Sequence, residues 1–524
     1  MRTLLAAVLA FALLGAPSYA QTVGANPTPA DMNAQLQALQ AQLDALKAQI
    51  DAIKAQQAIT PITPLTPAPT ATVNTENFIR LKPNSPTVTF LIGKKDELTV
   101  YGNLNVSFDD STKGLQKFYA FSGDSPVGNV GWLPAISTNS TYLGARGFHK
   151  IADRTSFVYQ LEAGIAFTAI SGTANTNSSN DTTVQGGLTT RPTYMGIQSD
   201  AGRFLVGKTY TPYRNSTYIM NPFASQIGDY AVVMGNTGGD NRVEFGYVID
   251  HAIWYESPTW KGLRGDVLFS PGQNRGYDDS MIPAGESSCA GQNAPGSGAI
   301  PPFCNDGAFG NLFSADLQYK NGPFYFTTAY EMHKKTNRVS DLANLDPNDV
   351  ADEDAFKIGS QYVFHRLTTL NFIWENFNRY VPAYLMYQNE RQRNGFWLAA
   401  TQQLGYGGFS IGWARANPTP GDPGQHNTPA TAFPDNMANM YTATFRAPID
   451  RHTGWYIAYA DTVNHAAAHY DLGAGGHGVT TDCHDASILA AFDATVSPPI
   501  SGNGPHCYAG GHIQGFSVGL TAQF

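Results

Sequence analysis

Residues 141–167 read TYLGARGFHKIADRTSFVYQLEAGIAF. Two segments of alternating apolar and polar residues flank the three-residue gap Ala152–Arg154. In the second segment Phe157, Tyr159, Leu161, Ile165 and Phe167 share one face, while Gln160 and Glu162 share the other. Such a period of two predicts strands, and a gap this short predicts antiparallel neighbours. The pattern recurs from Leu98 to Phe524, where sixteen segments of roughly ten residues can be marked. Gaps after the even-numbered segments are tiny: Asp200–Gly202, Ser257–Lys261, Asn321–Gly322, His365–Arg366, Gly405–Gly407 and Asp450–His452. Gaps after the odd-numbered ones are long and rich in Gly, Pro, Asn and Asp. One rim of short turns and one of long loops describes an all-β transmembrane barrel of sixteen antiparallel strands. A barrel of this size encloses water rather than a packed core.

The end of the chain carries the same device. In HIQGFSVGLTAQF (residues 512–524), Gln514, Phe516, Val518, Leu520, Ala522 and Phe524 alternate with Gly515, Ser517, Gly519, Thr521 and Gln523. A mostly apolar face against a small, polar one is expected for lipid outside and lumen inside. At the start, Leu98, Val100, Leu104, Val106 and Phe108 oppose Thr99, Tyr101, Asn103, Asn105 and Ser107. Charged side chains are expected to point inward, since an Arg or Lys on the lipid face costs about 2–4 kcal/mol near the midplane.

Upstream, Met1-Arg2, an apolar run from Leu4 to Ala16 and small residues at Ser18 and Ala20 predict a signal peptide over 1–20, cleaved before Gln21. After it no apolar run approaches the length of a spanning helix, so a membrane must be crossed with strands. Leu36, Leu39, Leu43, Leu46, Ile50 and Ile53 form a heptad seam extended backwards by Met32, which predicts a coiled-coil helix over 31–57. That helix would reach roughly 40 Å. Pro61, Pro64, Pro67 and Pro69 make 58–77 a semi-rigid Pro/Thr-rich linker. The barrel domain is expected over 95–524, with the coil in the periplasm as a trimer clamp or a contact with the cell wall.

Charged residues are 14%, aromatics 12%, and the chain holds 52 Gly and 32 Pro, a profile that suits strands, girdle aromatics and long loops. The net charge is −9, and losing Arg2 leaves the mature chain one unit more acidic, which argues against a nucleic-acid partner. Cys289/Cys304 and Cys483/Cys507 each share one long gap. The secretory route is oxidising, and of three connectivities the local one is expected, as two loop disulfides. The last long gap holds His465, His469, His477, His484 and His506, with His512 opening the next strand. Solvent-facing histidines beside a disulfide are the expectation there, over a metal site or a pH-responsive loop. HExxH and P-loop motifs are absent from the sequence, and no catalytic residue and no cofactor is expected.

Four stretches resemble the Gram-negative general porin family. VYGNLNVSF (100–108) resembles its opening strand, and residues 141–167 its second and third. RPTYMGIQSDAGRFLVGKTYTPY (191–213) is similar to its fourth and fifth strands, leading into the inward-folded third loop, and AIWYESPTWKGLRGDVLFS (252–270) to the pair after that loop. With the terminal strand, the resemblance runs from about Leu98 to Phe524. It implies a homotrimer of sixteen-stranded barrels in outer-membrane lipid and lipopolysaccharide, passing ions and small hydrophilic solutes by diffusion. It also implies a constriction where basic wall residues oppose acids of the third loop. By position the basic set is Arg146, Arg191 and Lys208, and Glu162 matches the acid of the third strand. Two departures stand out. Tyr142 stands where the family often has a further Arg, and the third loop, NPFASQIGDYAVVMGNTGGDNRVE (221–244), offers only Asp229, Asp240 and Glu244 as acids. That loop keeps open a substrate-specific channel with a saturable site, and the coil keeps open an envelope-tethering barrel.

Overall fold

The computed structural model describes residues 44, 79–82, 87–112, 132–165, 168, 191–235, 245–246, 248–271, 309–337, 350–388, 392–421, 435–465, 468, 470, 472 and 511–524. The signal peptide, the linker, Asp240, Glu244 and most of the loop histidines lie outside them. So does the coil, apart from Asp44, which is helical. The two expected disulfides are not shown. Cys289 and Cys304 of the first pair, and Cys483 and Cys507 of the second, all lie outside the described residues, and no disulfide occurs among those described. The expectation rested on compartment and a shared loop, whereas a bridge also requires the two Cα atoms of a pair within about 7 Å.

Nineteen strands form one sheet. They are β1 (Ile79–Leu81), β2 (Val88–Ile92), β3 (Asp96–Thr112), β4 (Trp132–Thr138), β5 (Tyr142–Ala152), β6 (Thr155–Gly164), β7 (Thr193–Ser199), β8 (Gly202–Tyr210), β9 (Val248–Glu256) and β10 (Leu263–Ser270). The second half continues with β11 (Asn311–Asn321), β12 (Phe324–Asn337), β13 (Val350–Phe364), β14 (Thr368–Arg379), β15 (Arg393–Leu404), β16 (Gly407–Ala416), β17 (Ala438–Pro448), β18 (Thr453–Asn464) and β19 (Gly511–Gln523). From β5 onward each strand pairs antiparallel with the next, and β19 closes the circle on β3, from Gly515↔Ser111 to Gln523↔Asn103. β4 and β5 lie end to end on the same edge of β3. Across their interruption Asn139 N–H still donates to Asn105 O (2.8 Å), and Asn105 N–H to Thr141 Oγ1 (2.9 Å). β4 and β5 therefore make one wall position, and the wall is a closed sixteen-stranded antiparallel barrel.

The period of two is realised all round. Phe108, Leu161, Phe204 and Leu520 are 52%, 51%, 54% and 63% exposed, whereas Asn105, Ser107, Asp109, Thr444 and Ser517, of the opposite parity, are buried. An apolar belt exposed at alternate positions of successive strands is stable only against hydrocarbon, and closure leaves no backbone edge within it.

The sequence reading placed no strand in 78–94. β2 forms a hairpin with β3 through Gly93–Lys95, pairing Val88↔Val100 to Ile92↔Asp96. Because β19 stops opposite Asn103, β2 carries the same edge of β3 onward past Phe524, toward the rim of short turns. Gly102 N–H donates to Phe524 O (3.0 Å), and Phe524 N–H to Gly102 O (3.2 Å). Closure depends on glycine here, for a Cβ on Gly102 would lie 2.6 Å from the Phe524 ring. Gly102→Leu is therefore expected to displace that ring, at about 1–3 kcal/mol of overpacking. The temperature at which the folded band converts to the unfolded one on unheated gels should drop, and an unchanged temperature would contradict the contact.

The segment after β8 turns inward rather than outward. Its helix α1 (Pro212–Tyr218) begins with Pro at its first position and Thr211 accepting from Arg214 N–H. A short helix α2 (Ala231–Met234) follows. Tyr325 O–H holds Ser216 O at 2.6 Å, Asn105 Nδ2 holds Ser225 O at 2.7 Å, and Thr442 Oγ1 holds Gly228 O at 3.0 Å. Met220, Phe223, Tyr230, Val233 and Met234 pack with Trp397, Ala414, Ala416 and Met440 of the inner wall. The loop thus lies against the inside of the wall from β10 round to β19 and touches β3 at Asn105, leaving the inner face of β5–β8 open to the lumen.

Candidate pore constriction

Three of the sequence-selected residues meet on the β3–β8 wall. Arg191 Nε donates to Glu162 Oε1 at 2.6 Å, and both side chains are nearly buried, at 10% and 8% exposure. The Arg191 guanidinium lies over the Tyr142 ring (4.5 Å to the centroid) and beside Tyr210 (6.0 Å). Tyr142, in place of a further Arg, therefore supplies a face on which an arginine stacks.

The register explains how Glu162 is held. Tyr101, Gly144 and Glu162 are in line across β3, β5 and β6. A Cβ on Gly144 would lie 2.4 Å from the Tyr101 ring, so the glycine lets that ring cross and its O–H donate to Glu162 Oε2 at 3.0 Å. Arg146, two residues on, lies over the other side of this unit, 4.9 Å from the Tyr101 centroid. Glu162 is thus committed to Arg191 and Tyr101, while Arg146 is exposed and forms no ion pair among the described residues.

The remaining members are placed differently. Lys208 pairs in register with Thr193 at the β8 bulge marked by Gly207 and is half-buried. Asp229 lies on the third loop, but its Oδ1 accepts from Asn221 Nδ2 (2.8 Å) and Ala231 N–H (3.0 Å), shaping the turn into α2. Desolvation is the largest influence on its carboxyl and holds it above the usual range, against those hydrogen bonds and the nearby Arg214. Asp229 therefore interacts with a cation of its own loop and with Arg446 of β17.

The sequence reading missed Arg214. Its guanidinium lies 4.0 Å from the Tyr210 centroid and 5.8 Å from that of Tyr218. Arg146, Tyr101, Tyr142, Arg191, Tyr210, Arg214 and Tyr218 form a chain of interleaved guanidinium and phenol groups running from the wall into the loop. The reading also missed the buried polar layer that pins the loop. Arg393 Nη2 donates to Val233 O (2.8 Å) and Met234 O (2.6 Å), and Nη1 lies 3.6 Å from Glu375. Tyr213 O–H donates to Glu375 Oε2 (3.2 Å), and Lys357 Nζ sits 3.6 Å from the Tyr213 centroid. At the loop's return, Gly246 N–H donates to Glu331 Oε1 (3.1 Å), and Phe245 stacks on His333 (4.6 Å). The available signal was strand parity, since Glu331, His333, Glu353, Lys357, Glu375, Arg379 and Arg393 all fall on the inward face.

The family model described as Gram-negative porin matches residues 92–472. The chain belongs to that family. As an outer-membrane porin it forms a water-filled channel for ions and small hydrophilic solutes. No curated protein matches the chain. Among solved structures, the anion-selective porin from Comamonas acidovorans is 16% identical, with a TM-score of 0.53 over 82% of this porin and 100% of that chain. Salmonella typhi OmpF in complex with daunomycin is 14% identical, with a TM-score of 0.48 over 82% and 98%. The outer membrane channel DcaP of Acinetobacter baumannii is 10% identical, with a TM-score of 0.45 over 82% and 98%. At such identities the likeness speaks for the fold alone.

Proposed function

We propose that this porin is a passive diffusion channel that prefers anions, with its narrowest passage between the third loop and the β3–β8 wall. The observation that carries this reading is the imbalance of charge on the groups left open. Arg146 and Arg214 form no ion pair among the described residues, whereas Glu162 is neutralised by Arg191 and Asp229 is turned to Asn221 and Ala231 N–H of its own loop. A few fixed lumen charges set selectivity, so the chain's acidic total does not oppose it. The homotrimer, the surrounding lipopolysaccharide and a periplasmic role for 31–57 as clamp or wall contact belong to the same proposal.

The test is a planar-bilayer recording of the purified porin under a KCl gradient. Discrete conductance steps and a reversal potential of anion-preferring sign are expected. A cation-preferring sign would overturn the selectivity, and absence of steps would overturn the channel.

A further inference from the structure

On the short-turn side of the Arg191–Glu162 pair the inner wall is hollowed into a cavity of about 360 Å³. This is within the range of small-ligand pockets. Strand register gives its layout. Phe148↔Val158↔Gly196 cross β5, β6 and β7 at one level, where Phe148 and Val158 line the cavity and Leu205 covers Gly196. Arg146↔Gln160↔Tyr194 lie one level above, and Ser156↔Gln198↔Arg203 one level below. The upper and lower levels are four residues apart, about 13 Å of backbone. Arg146 lines the recess from the upper level and Gln198 from the lower.

The commitments of the lining groups are unequal. Arg203 is held by Glu256 (2.9 Å) and the Tyr194 hydroxyl (3.2 Å), and that hydroxyl donates to Gln160. Among the described residues Arg146 has its ring contact with Tyr101 and no ion pair, and it and Gln198 are exposed. Phe148 at the middle level and Tyr194 at the level of Arg146 are half-buried, packed against the apolar cluster that contains Val158 and Leu205. A free guanidinium at one end, an aromatic floor and an amide at the other end select three features in one solute. These are an anionic carboxylate for bidentate pairing, a flat apolar body for stacking, and a hydrogen-bonding substituent opposite the carboxylate.

We infer that this recess is a binding site for small hydroxylated aromatic carboxylates, which makes the porin saturable for that solute class. The inference rests on the channel reading above and deepens it. Inorganic phosphate or a chloride ion would use Arg146 but not the floor, and a neutral sugar would leave Arg146 without a partner.

The probe is 4-hydroxybenzoate, added to one side of a bilayer carrying the porin in KCl. A saturable, concentration-dependent fall in current is expected. Acetate should give none, and cyclohexanecarboxylate should need a several-fold higher concentration, because it lacks the flat face and the hydroxyl. Arg146→Gln should raise the half-blocking concentration about tenfold or more, as loss of a charge-assisted hydrogen bond does. Val158→Phe, which fills the recess from its floor, should abolish saturation, its folded state being checked by heat-modifiable migration on gels. Channel steps with a current indifferent to 4-hydroxybenzoate would overturn the inference and leave the channel reading intact. Block that is equal in wild type and Arg146→Gln would overturn it as well. The absence of steps before any probe is added would count against the channel reading instead.

Discussion

Arg393→Ala is expected to free the tip of the third loop and widen the channel while leaving the barrel closed. Arg393 sits on β15 with a fully buried side chain and does three things at once. It ties the carbonyls of Val233 and Met234, it faces Glu375, and it lies 4.6 Å from the Phe377 ring centroid. Removing one partner of a buried charge pair typically costs about 3–5 kcal/mol, because the other charge stays behind without water. The wall does not need Arg393, since β15 keeps its full ladders to β14 and β16. The loss therefore falls on the loop. Single-channel conductance in KCl should rise and its current noise increase, with little change in the temperature of gel conversion. Arg393→Lys should be intermediate, for an ammonium cannot reproduce a planar fork. The double change Arg393→Met with Glu375→Met should relieve the stranded carboxylate yet still leave Val233 and Met234 untied. Wild-type conductance in all three variants would mean that the packing of Phe223 and Tyr230 on Trp397 holds the loop alone.

Arg146→Glu is expected to turn the anion preference toward cations. The side chain is exposed in the lumen, and the substitution changes the local charge by two units. A unit charge at 4 Å in water is worth about 1 kcal/mol. Two units therefore shift the ratio of anion to cation permeability by roughly tenfold or more at low salt, a factor of ten being about 1.36 kcal/mol. Screening shortens the reach to about 3 Å at 1 M, so the effect should shrink as salt is raised. Glu162→Gln should act with the opposite sign, because it leaves Arg191 uncompensated and adds one positive charge to the same wall. Its folded protein should also be less stable, since Arg191 is then buried without a counter-charge. Reversal potentials measured at two salt concentrations check both signs. A shift in the same direction for the two variants would contradict the assignment of this wall to the passage.

The wall of this porin was legible because strand parity is local. Phe108 and Leu161 take the lipid side in the structure as their alternation predicts, since successive side chains on a strand point to opposite faces whatever lies far away. The turns at 153–154, 200–201 and 322–323 fall where the shortest gaps fall. The resemblance likewise selected Arg146, Glu162 and Arg191, but position alone could not tell which cation is spent. Only the geometry shows Arg191 neutralised by Glu162 and Arg146 left open. Asp229 illustrates the converse. As a carboxylate on the third loop it reads as a counter-charge, yet its oxygen is used by Ala231 N–H and Asn221 two and eight residues away. β1 and β2 went unread because they follow a Pro-rich run and are too short to show a period.

The amino-acid order by itself determined a closed sixteen-stranded wall with its lipid and lumen faces, since alternation and turn length are written within about ten residues of each position. Where the third loop rests, and which charges it leaves facing water, was decided by the tertiary structure. Those contacts join Asn105 to Ser225 and Arg393 to Val233, partners 120 and 160 residues apart. Such pairs become neighbours only when closure of the barrel brings opposite walls around one lumen, and no periodicity along the chain encodes that meeting.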